Sequence, residues 1–217
     1  LVSVKENRFD SNDIDLKGRV RSSSFASTTA SGHATIMATM IAGAGNSFYD
    51  GKGAAHRASL QSASFANLLP EPDTFYRNQG ISVQNHSYGV GIENFYGADA
   101  GAYDAVMANN PALLHVFSSG NSGLLPSNGP YAGLTGFANI TGSFKMGKNM
   151  LVVGAIDSVG NVELPSSRGP AYDGRIKPEL VAFGQDGSSG AAAIVSGIAL
   201  LAQQAYKQLH QDSLPPS

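Results

Sequence analysis

A long apolar segment near the carboxyl terminus constrains the fold of this 217-residue chain more than any other feature. It follows the serine pair Ser188 and Ser189 and reaches Leu201 without a single charged side chain. A helix that is hydrophobic on nearly every side has to be buried, so we predict a central helix here. The backbone N–H groups of its first turn favour negative charge, which makes Ser189 a candidate nucleophile. The same Gly-Ser-Ser-Gly sequence is ordinary loop chemistry, so a capping role for either serine stays open.

A nucleophilic serine needs a base, and the chain offers five histidines: His33, His56, His86, His115 and His210. Only His33 begins a helical pattern, because apolar residues recur at helical spacing over 36–41. His115 lies in an apolar run and is predicted to be a hydrogen-bonded core or strand histidine. The polar surroundings of His56 and His210 indicate no catalytic role. His33 is therefore the candidate base.

Three predicted strands end in polar residues. The first strand, Val2–Glu6, alternates and ends in the Glu6 carboxylate, which could orient a histidine. The strand over 81–86 runs into Ser87-Tyr88-Gly89, and the strand over 113–117 runs into a Ser-Ser-Gly-Asn sequence. Open α/β sheets place their chemistry at such strand ends, so Asn121 becomes a candidate oxyanion donor.

The order acid, histidine, asparagine, serine resembles the subtilisin-like serine proteases, the subtilases, over nearly the whole chain. In that family an acid follows the first strand, a histidine starts a helix, a Gly-Asn pair forms the oxyanion hole and a Gly-Thr-Ser motif opens the central helix. Glu6, His33, Asn121 and Ser189 fall on these four positions. The most family-specific stretch is 166–182, which reads SSRGPAYDGRIKPELVA.

The resemblance implies a serine endopeptidase that acts on peptides or proteins through an acyl-enzyme on Ser189. His33 would be the general base, Glu6 would orient it, and Asn121 would help to hold the oxyanion. Two backbone segments would bind substrate: Ser87-Tyr88-Gly89 as a pairing strand, and Ser118-Ser119-Gly120 as the lining of the pocket for the residue before the scissile bond.

The sequence also departs from the family pattern. The family usually has aspartate where Glu6 stands, which moves the carboxylate out by one methylene, and Asp10 or Asp13 in the following loop could substitute for it. Around His33 and Ser189, five usual family residues are replaced by Ala34, Ile36, Ser188, Gly190 and Ala193. These changes indicate a divergent branch of the family.

The fold class predicted is α/β, with a mostly parallel sheet covered by helices on both faces. Length, with 42% hydrophobic and 14% charged residues, suits a single domain over 1–217 with a sizeable core, and we expect it to be trimmed at its carboxyl end. We predict strands over 58–65 and 150–156 and a helix over 98–108. Loops are predicted where glycine and proline concentrate, at 46–53, 69–80, 121–136 and 160–174.

Composition excludes several partners. A net charge of −2 without a basic cluster argues against nucleic acid, and no apolar run approaches the roughly 20 residues of a membrane span. Cysteine is absent, which excludes disulfides and thiolate metal sites.

No cofactor is required by the proposed chemistry. Calcium is common in the family, yet no dense carboxylate loop predicts a site. The family suggests an extracellular or cell-envelope location, and oligomeric state is left open.

Two other functions remain possible from the sequence. A catalytically silent subtilase-like domain, retained for binding or for building a larger surface protein, is favoured by Glu6 and by the altered residues around Ser189. A serine esterase of the α/β-hydrolase type is less consistent, because its nucleophile needs a Gly-x-Ser-x-Gly sequence and its acid follows the serine in the chain.

Overall fold

The computed structural model describes residues 1–210, and its centre is a sheet of seven parallel strands. The strand order is β2-β3-β1-β4-β5-β6-β7. The strands are β1 (Val2–Lys5), β2 (Val20–Arg21), β3 (Leu60–Ala63), β4 (Val83–His86), β5 (Leu114–Ser118), β6 (Leu151–Ile156) and β7 (Leu180–Phe183). The α-helices of this part of the chain are α1 (Gly32–Ala42), α2 (Asp73–Gln79), α3 (Ala98–Asn109) and α4 (Gly187–Leu209).

Helices cover both faces of the sheet, so the predicted three-layer α/β fold is confirmed. Successive strand residues point to opposite faces. On one face Val116 joins the core cluster that contains residues of α1 and α4, whereas the next residue, Phe117, joins the cluster that contains Tyr103 of α3. Helix α2 adds Phe75 to a third cluster.

The strand order places a crevice where the chemistry was expected. From β1 the chain builds β2 and β3 on one side, and it then crosses to β4 on the other side of β1. In parallel sheets, ligands bind outside the carboxyl ends of the strands at such a reversal. Glu6 directly follows β1 and Ser87 directly follows β4, so both lie at this switch point.

Helices α1 and α4 pack closely. A methyl group added at Gly197 would lie 2.7 Å from the Ala54 side chain and 2.9 Å from the Ile41 carbonyl oxygen, so only glycine fits this crossing. Ser188 to Ala193 of α4 are all buried, as predicted. The expectation that the whole apolar segment is buried is wrong, because Ile198 is 52% exposed. The buried residues of this 23-residue helix lie between Ser188 and Gly197, so only its first half is enclosed.

Two other predicted boundaries differ from the structure. The predicted loop over 69–80 contains α2, which places Phe75 and Tyr76 in the core and ends at Gly80 with a left-handed φ of 68°. Burial of two aromatic side chains stabilises a helix whose seven residues carry too little periodicity to be recognised. The predicted strand over 58–65 shortens to β3. The predicted strand over 150–156 and helix over 98–108 are confirmed to within one residue at each end.

Candidate active site

His33 lies in the first turn of α1, at the carboxyl edge of the sheet. The Ser31 side chain caps this helix by accepting a hydrogen bond from the Ala34 N–H at 3.0 Å. That cap fixes the helix start, and His33 therefore projects from its first turn with 37% of its side chain exposed.

Glu6 contacts the inner nitrogen of this histidine. Its Oε1 lies 2.8 Å from Nδ1 of His33 and also accepts a hydrogen bond from the Ser31 hydroxyl at 3.3 Å. The hydrogen bond that His33 donates to the Glu6 carboxylate is the largest effect on the histidine and raises its pKa, although burial acts in the opposite direction. Glutamate thus contacts the ring despite its extra methylene. Its backbone N–H donates a 2.8 Å hydrogen bond to the Ala63 carbonyl.

A second carboxylate, which sequence reasoning missed, lies at the outer nitrogen of the ring. Oδ2 of Asp186 is 3.2 Å from Nε2 of His33, and the Asp186 side chain is 50% exposed. Its charge also raises the pKa of His33. Asp186 directly precedes α4, and only its neighbourhood to Ser189 in the sequence could have pointed to it.

Ser189 is the third residue of α4 and is nearly buried. Its hydroxyl donates a 3.4 Å hydrogen bond to the Ser87 carbonyl, and the Ser87 hydroxyl donates a 2.9 Å bond to the Ser189 carbonyl. Among the described residues, no hydrogen bond joins Ser189 to His33. The structure therefore places Ser189 and His33 at the carboxyl end of the sheet without a hydrogen bond between them. His33 contacts Glu6 and Asp186, and the Ser189 hydroxyl contacts the Ser87 carbonyl.

Asn121 follows β5 and contacts the residue before Ser189. Its Oδ1 accepts hydrogen bonds from the Ser188 N–H at 3.2 Å and from the Ser188 hydroxyl at 2.9 Å. Because a backbone N–H can only donate, the oxygen of the amide has to face Ser188. The Nδ2 group of Asn121 makes no hydrogen bond within residues 1–210 and lies 3.4 Å from the position that a methyl group on Gly187, the first residue of α4, would occupy.

The predicted substrate segments border this region. Gly89 is exposed, and neither its N–H nor its carbonyl is hydrogen bonded to another described residue. Across from it, Ser118, Ser119 and Gly120 are buried, and the Ser118 hydroxyl reaches the Tyr88 carbonyl at 3.5 Å. Gly120 has a φ of 107°, a conformation that favours glycine, and its N–H donates to the Ser188 hydroxyl at 3.1 Å.

The structure also shows where the other histidine and the other acids considered for the site lie. His115 is fully buried with its Nδ1 2.8 Å from Nε2 of His86, which confirms it as a core histidine. Asp10 is exposed, and its side chain accepts from the Asn12 N–H at 2.9 Å. No contact links Asp10 or Asp13 to His33 in the described part of the chain.

Comparison with known proteins identifies the family. A model of the subtilase family matches residues 1–215. The chain belongs to the subtilase family. Subtilases are serine-type peptidases that act on peptides or proteins, and this chain is a serine-type peptidase.

Solved structures with a similar fold include three proteases. The prenylagaramide maturation protease PagA is 23% identical with a TM-score of 0.73, covering 99% of this chain and 78% of its own. The patellamide maturation protease PatA is 20% identical with a TM-score of 0.72, covering 99% and 81%. A cold-adapted subtilisin-like serine proteinase is 20% identical with a TM-score of 0.60, covering 97% and 76%. At these identities the likeness shows the shared subtilase fold.

Within residues 1–210 of this subtilase, no group of three or more histidine or acidic side chains is arranged to hold a metal ion. No helix in the same range is long and apolar enough to cross a membrane.

Proposed function

We propose that this subtilase is an endopeptidase whose nucleophile is Ser189, with His33 as general base and Glu6 as the orienting acid. The single observation that carries the proposal is the 2.8 Å contact between Glu6 Oε1 and His33 Nδ1. A carboxylate there holds a proton on Nδ1, which leaves Nε2 free to take the serine proton. It also stabilises the imidazolium that forms when the proton arrives.

The reactive arrangement requires two movements. The Asp186 carboxylate has to leave Nε2 of His33, and the Ser189 hydroxyl has to turn from the Ser87 carbonyl toward that nitrogen. Half of Asp186 is already exposed, so its charge can be hydrated at little cost. The hydrogen bond that the Ser189 hydroxyl gives up is long, at 3.4 Å. Substrate in the crevice would favour both movements by displacing the Asp186 side chain.

The oxyanion would be held by two donors. Nδ2 of Asn121 is free for a ligand because Oδ1 is committed to Ser188. The backbone N–H of Ser189 lies in the first turn of α4, where N–H groups have no acceptor within the helix. Donors of this kind stabilise an oxyanion strongly when they are in place before the charge develops.

Substrate would bind as an added strand along Ser87-Tyr88-Gly89. The exposed Gly89 supplies an N–H and a carbonyl that no described residue uses. Backbone pairing of this kind gives affinity while side-chain pockets give specificity. An extracellular or cell-envelope location is also proposed, on the family relationship alone.

The alternative is a catalytically silent domain, and the contact between His33 Nε2 and Asp186 favours it. Hydrolysis of an unfolded protein substrate separates the two proposals. An active endopeptidase gives internal fragments by mass spectrometry, and Ser189→Ala and His33→Ala each abolish them while Ser188→Ala does not. If all four folded proteins leave the substrate intact, the silent-domain proposal replaces ours.

A further inference from the structure

Lys145 is a fully buried cation that the proposed mechanism does not use. It lies in a short 3₁₀ helix, Ser143–Met146, and none of its side chain is exposed. Its Nζ donates one hydrogen bond, to the Thr141 hydroxyl at 3.0 Å. An ammonium group has three N–H donors, so two remain for a ligand.

No negative charge within the described residues balances this cation. No carboxylate of residues 1–210 lies within 4.0 Å of Nζ. Two acidic side chains approach the same 3₁₀ helix, but both bind Ser143: Glu93 accepts from its N–H at 2.8 Å and Asp99 from its hydroxyl at 2.6 Å. Burial lowers the pKa of Lys145 to about 7. The ammonium group lies 5.7 Å from the centroid of the Phe144 ring. A lysine buried without a counter-ion still destabilises a fold, and a binding function would explain why that cost is retained.

The position of Lys145 relates it to the substrate segments. A methyl group added at the exposed Gly89 would lie 3.2 Å from Nζ and would overlap the Thr141 hydroxyl. A methyl group added at Gly120 would overlap the same hydroxyl and lie 3.0 Å from the Ser167 hydroxyl. Thr141 therefore lies between the two glycines, and the Lys145 ammonium group lies next to Gly89.

These two glycines belong to the segments between which the side chain before the scissile bond would enter. The groups next to the two glycines are polar and buried: the Thr141 and Ser167 hydroxyl groups and the Lys145 ammonium group. We propose that Lys145 is the specificity-determining residue of this pocket and that the enzyme cleaves after acidic residues, with glutamate as the preferred side chain. The inference rests on the proposed endopeptidase function and names its substrate class.

The physical basis is a charge-assisted hydrogen bond. A glutamate carboxylate would accept hydrogen bonds from the two free N–H groups of Lys145. It would also neutralise the charge of the lysine in a site closed to water. A glutamine of the same shape brings an amide oxygen without the charge, and an alkyl side chain leaves all of these polar groups unpaired.

Internally quenched peptides that differ only at the residue before the scissile bond test this. We expect kcat/KM for glutamate to exceed that for glutamine by at least about tenfold in the natural enzyme. Lys145→Met keeps the length and bulk of the side chain and should abolish the preference. Lys148→Met is the matched control, because Lys148 is exposed three residues away and the substitution removes the same charge. Its preference should equal that of the natural enzyme.

Equal or better cleavage after glutamine in the natural enzyme would overturn the inference, as would a glutamate preference that survives in Lys145→Met. The same peptides, fluorescently labelled, are also titrated into Ser189→Ala by anisotropy, which needs no catalysis. Tighter binding of the glutamate peptide supports the pocket even if hydrolysis fails, and equal binding refutes it. Active cleavage without acidic preference leaves the proposed function intact and removes only the role of Lys145.

Discussion

The pH dependence of hydrolysis should reveal the second carboxylate on His33. Asp186→Asn removes the negative charge 3.2 Å from Nε2 and keeps the shape of the side chain. Opposite charges about 4 Å apart interact by about 1 kcal/mol in water and by about 4 kcal/mol near a protein surface. Half of Asp186 is exposed, so solvent screening favours the lower value. Removing the charge therefore lowers the pKa of His33, and about 1 kcal/mol is a factor of about five in the equilibrium between its protonated and neutral forms.

The sign of the effect follows from the role of the base. Glu6 and Asp186 both raise the pKa of His33 above its usual 6.5, so below the raised pKa the imidazole is protonated and cannot accept the serine proton. Asp186→Asn should therefore move the acidic limb of kcat/KM to lower pH. Well below the midpoint, a factor of about five in the neutral form of His33 means a rate about fivefold higher than in the natural enzyme.

The assay is kcat/KM for a quenched peptide from pH 5 to pH 9. Asp10→Asn is the control, because it removes the same charge from an exposed acid that contacts Asn12 rather than His33. A midpoint that stays unchanged or rises in Asp186→Asn would refute the electrostatic reasoning. An equal shift in both variants would show that net charge, and not the contact with Nε2, sets the midpoint.

Two further predictions concern the residues around Ser189. Glu6→Gln should keep the fold and lower kcat by up to about 10⁴-fold, because an amide cannot stabilise the imidazolium. Asp10→Asn should leave kcat unchanged. If stopped assays on the two folded variants give the reverse pattern, the orienting role belongs to Asp10. Asn121→Ala should lower kcat by about 10²–10³-fold with little change in KM, the loss known for the corresponding donor of subtilisin itself. A large loss of stability in urea denaturation, with a small change in kcat for the folded fraction, would instead assign Asn121 to shaping its turn.

Much of the fold was predictable because its signals are local. The apolar segment after Ser189 identified α4, and helical spacing after His33 identified α1. These patterns follow from burial of one helix face or of a whole helix. Helix α2 was missed because its stability comes from placing Phe75 and Tyr76 in a core formed by residues distant in the sequence. The two-residue strand β2 was missed for the same reason, since it exists through its pairing with β3.

The candidate site was likewise predictable only in part. The order of Glu6, His33, Asn121 and Ser189 predicted which strand ends and helix starts matter, and the structure places these residues in one region. The contact of Asp186 with His33 could not be predicted, because it depends on how the loop before α4 approaches α1.

Lys145 was missed for a related reason. Nothing in its sequence neighbourhood distinguishes it from Lys148, which is exposed. Only the packing of the 3₁₀ helix behind Gly89 shows that Lys145 is buried while Lys148 faces solvent. The specificity proposed for Lys145 therefore depends on the fold and not on a sequence motif.

The central claim is that Ser189 is a nucleophile activated by His33, and covalent labelling tests it most directly. The natural protein is treated with a fluorophosphonate, and the adduct is counted by intact mass and located by peptide mapping. We predict one adduct per chain, on Ser189, that is absent in Ser189→Ala and strongly slowed in His33→Ala. An adduct on Ser188, or none on the folded natural protein, would contradict the account.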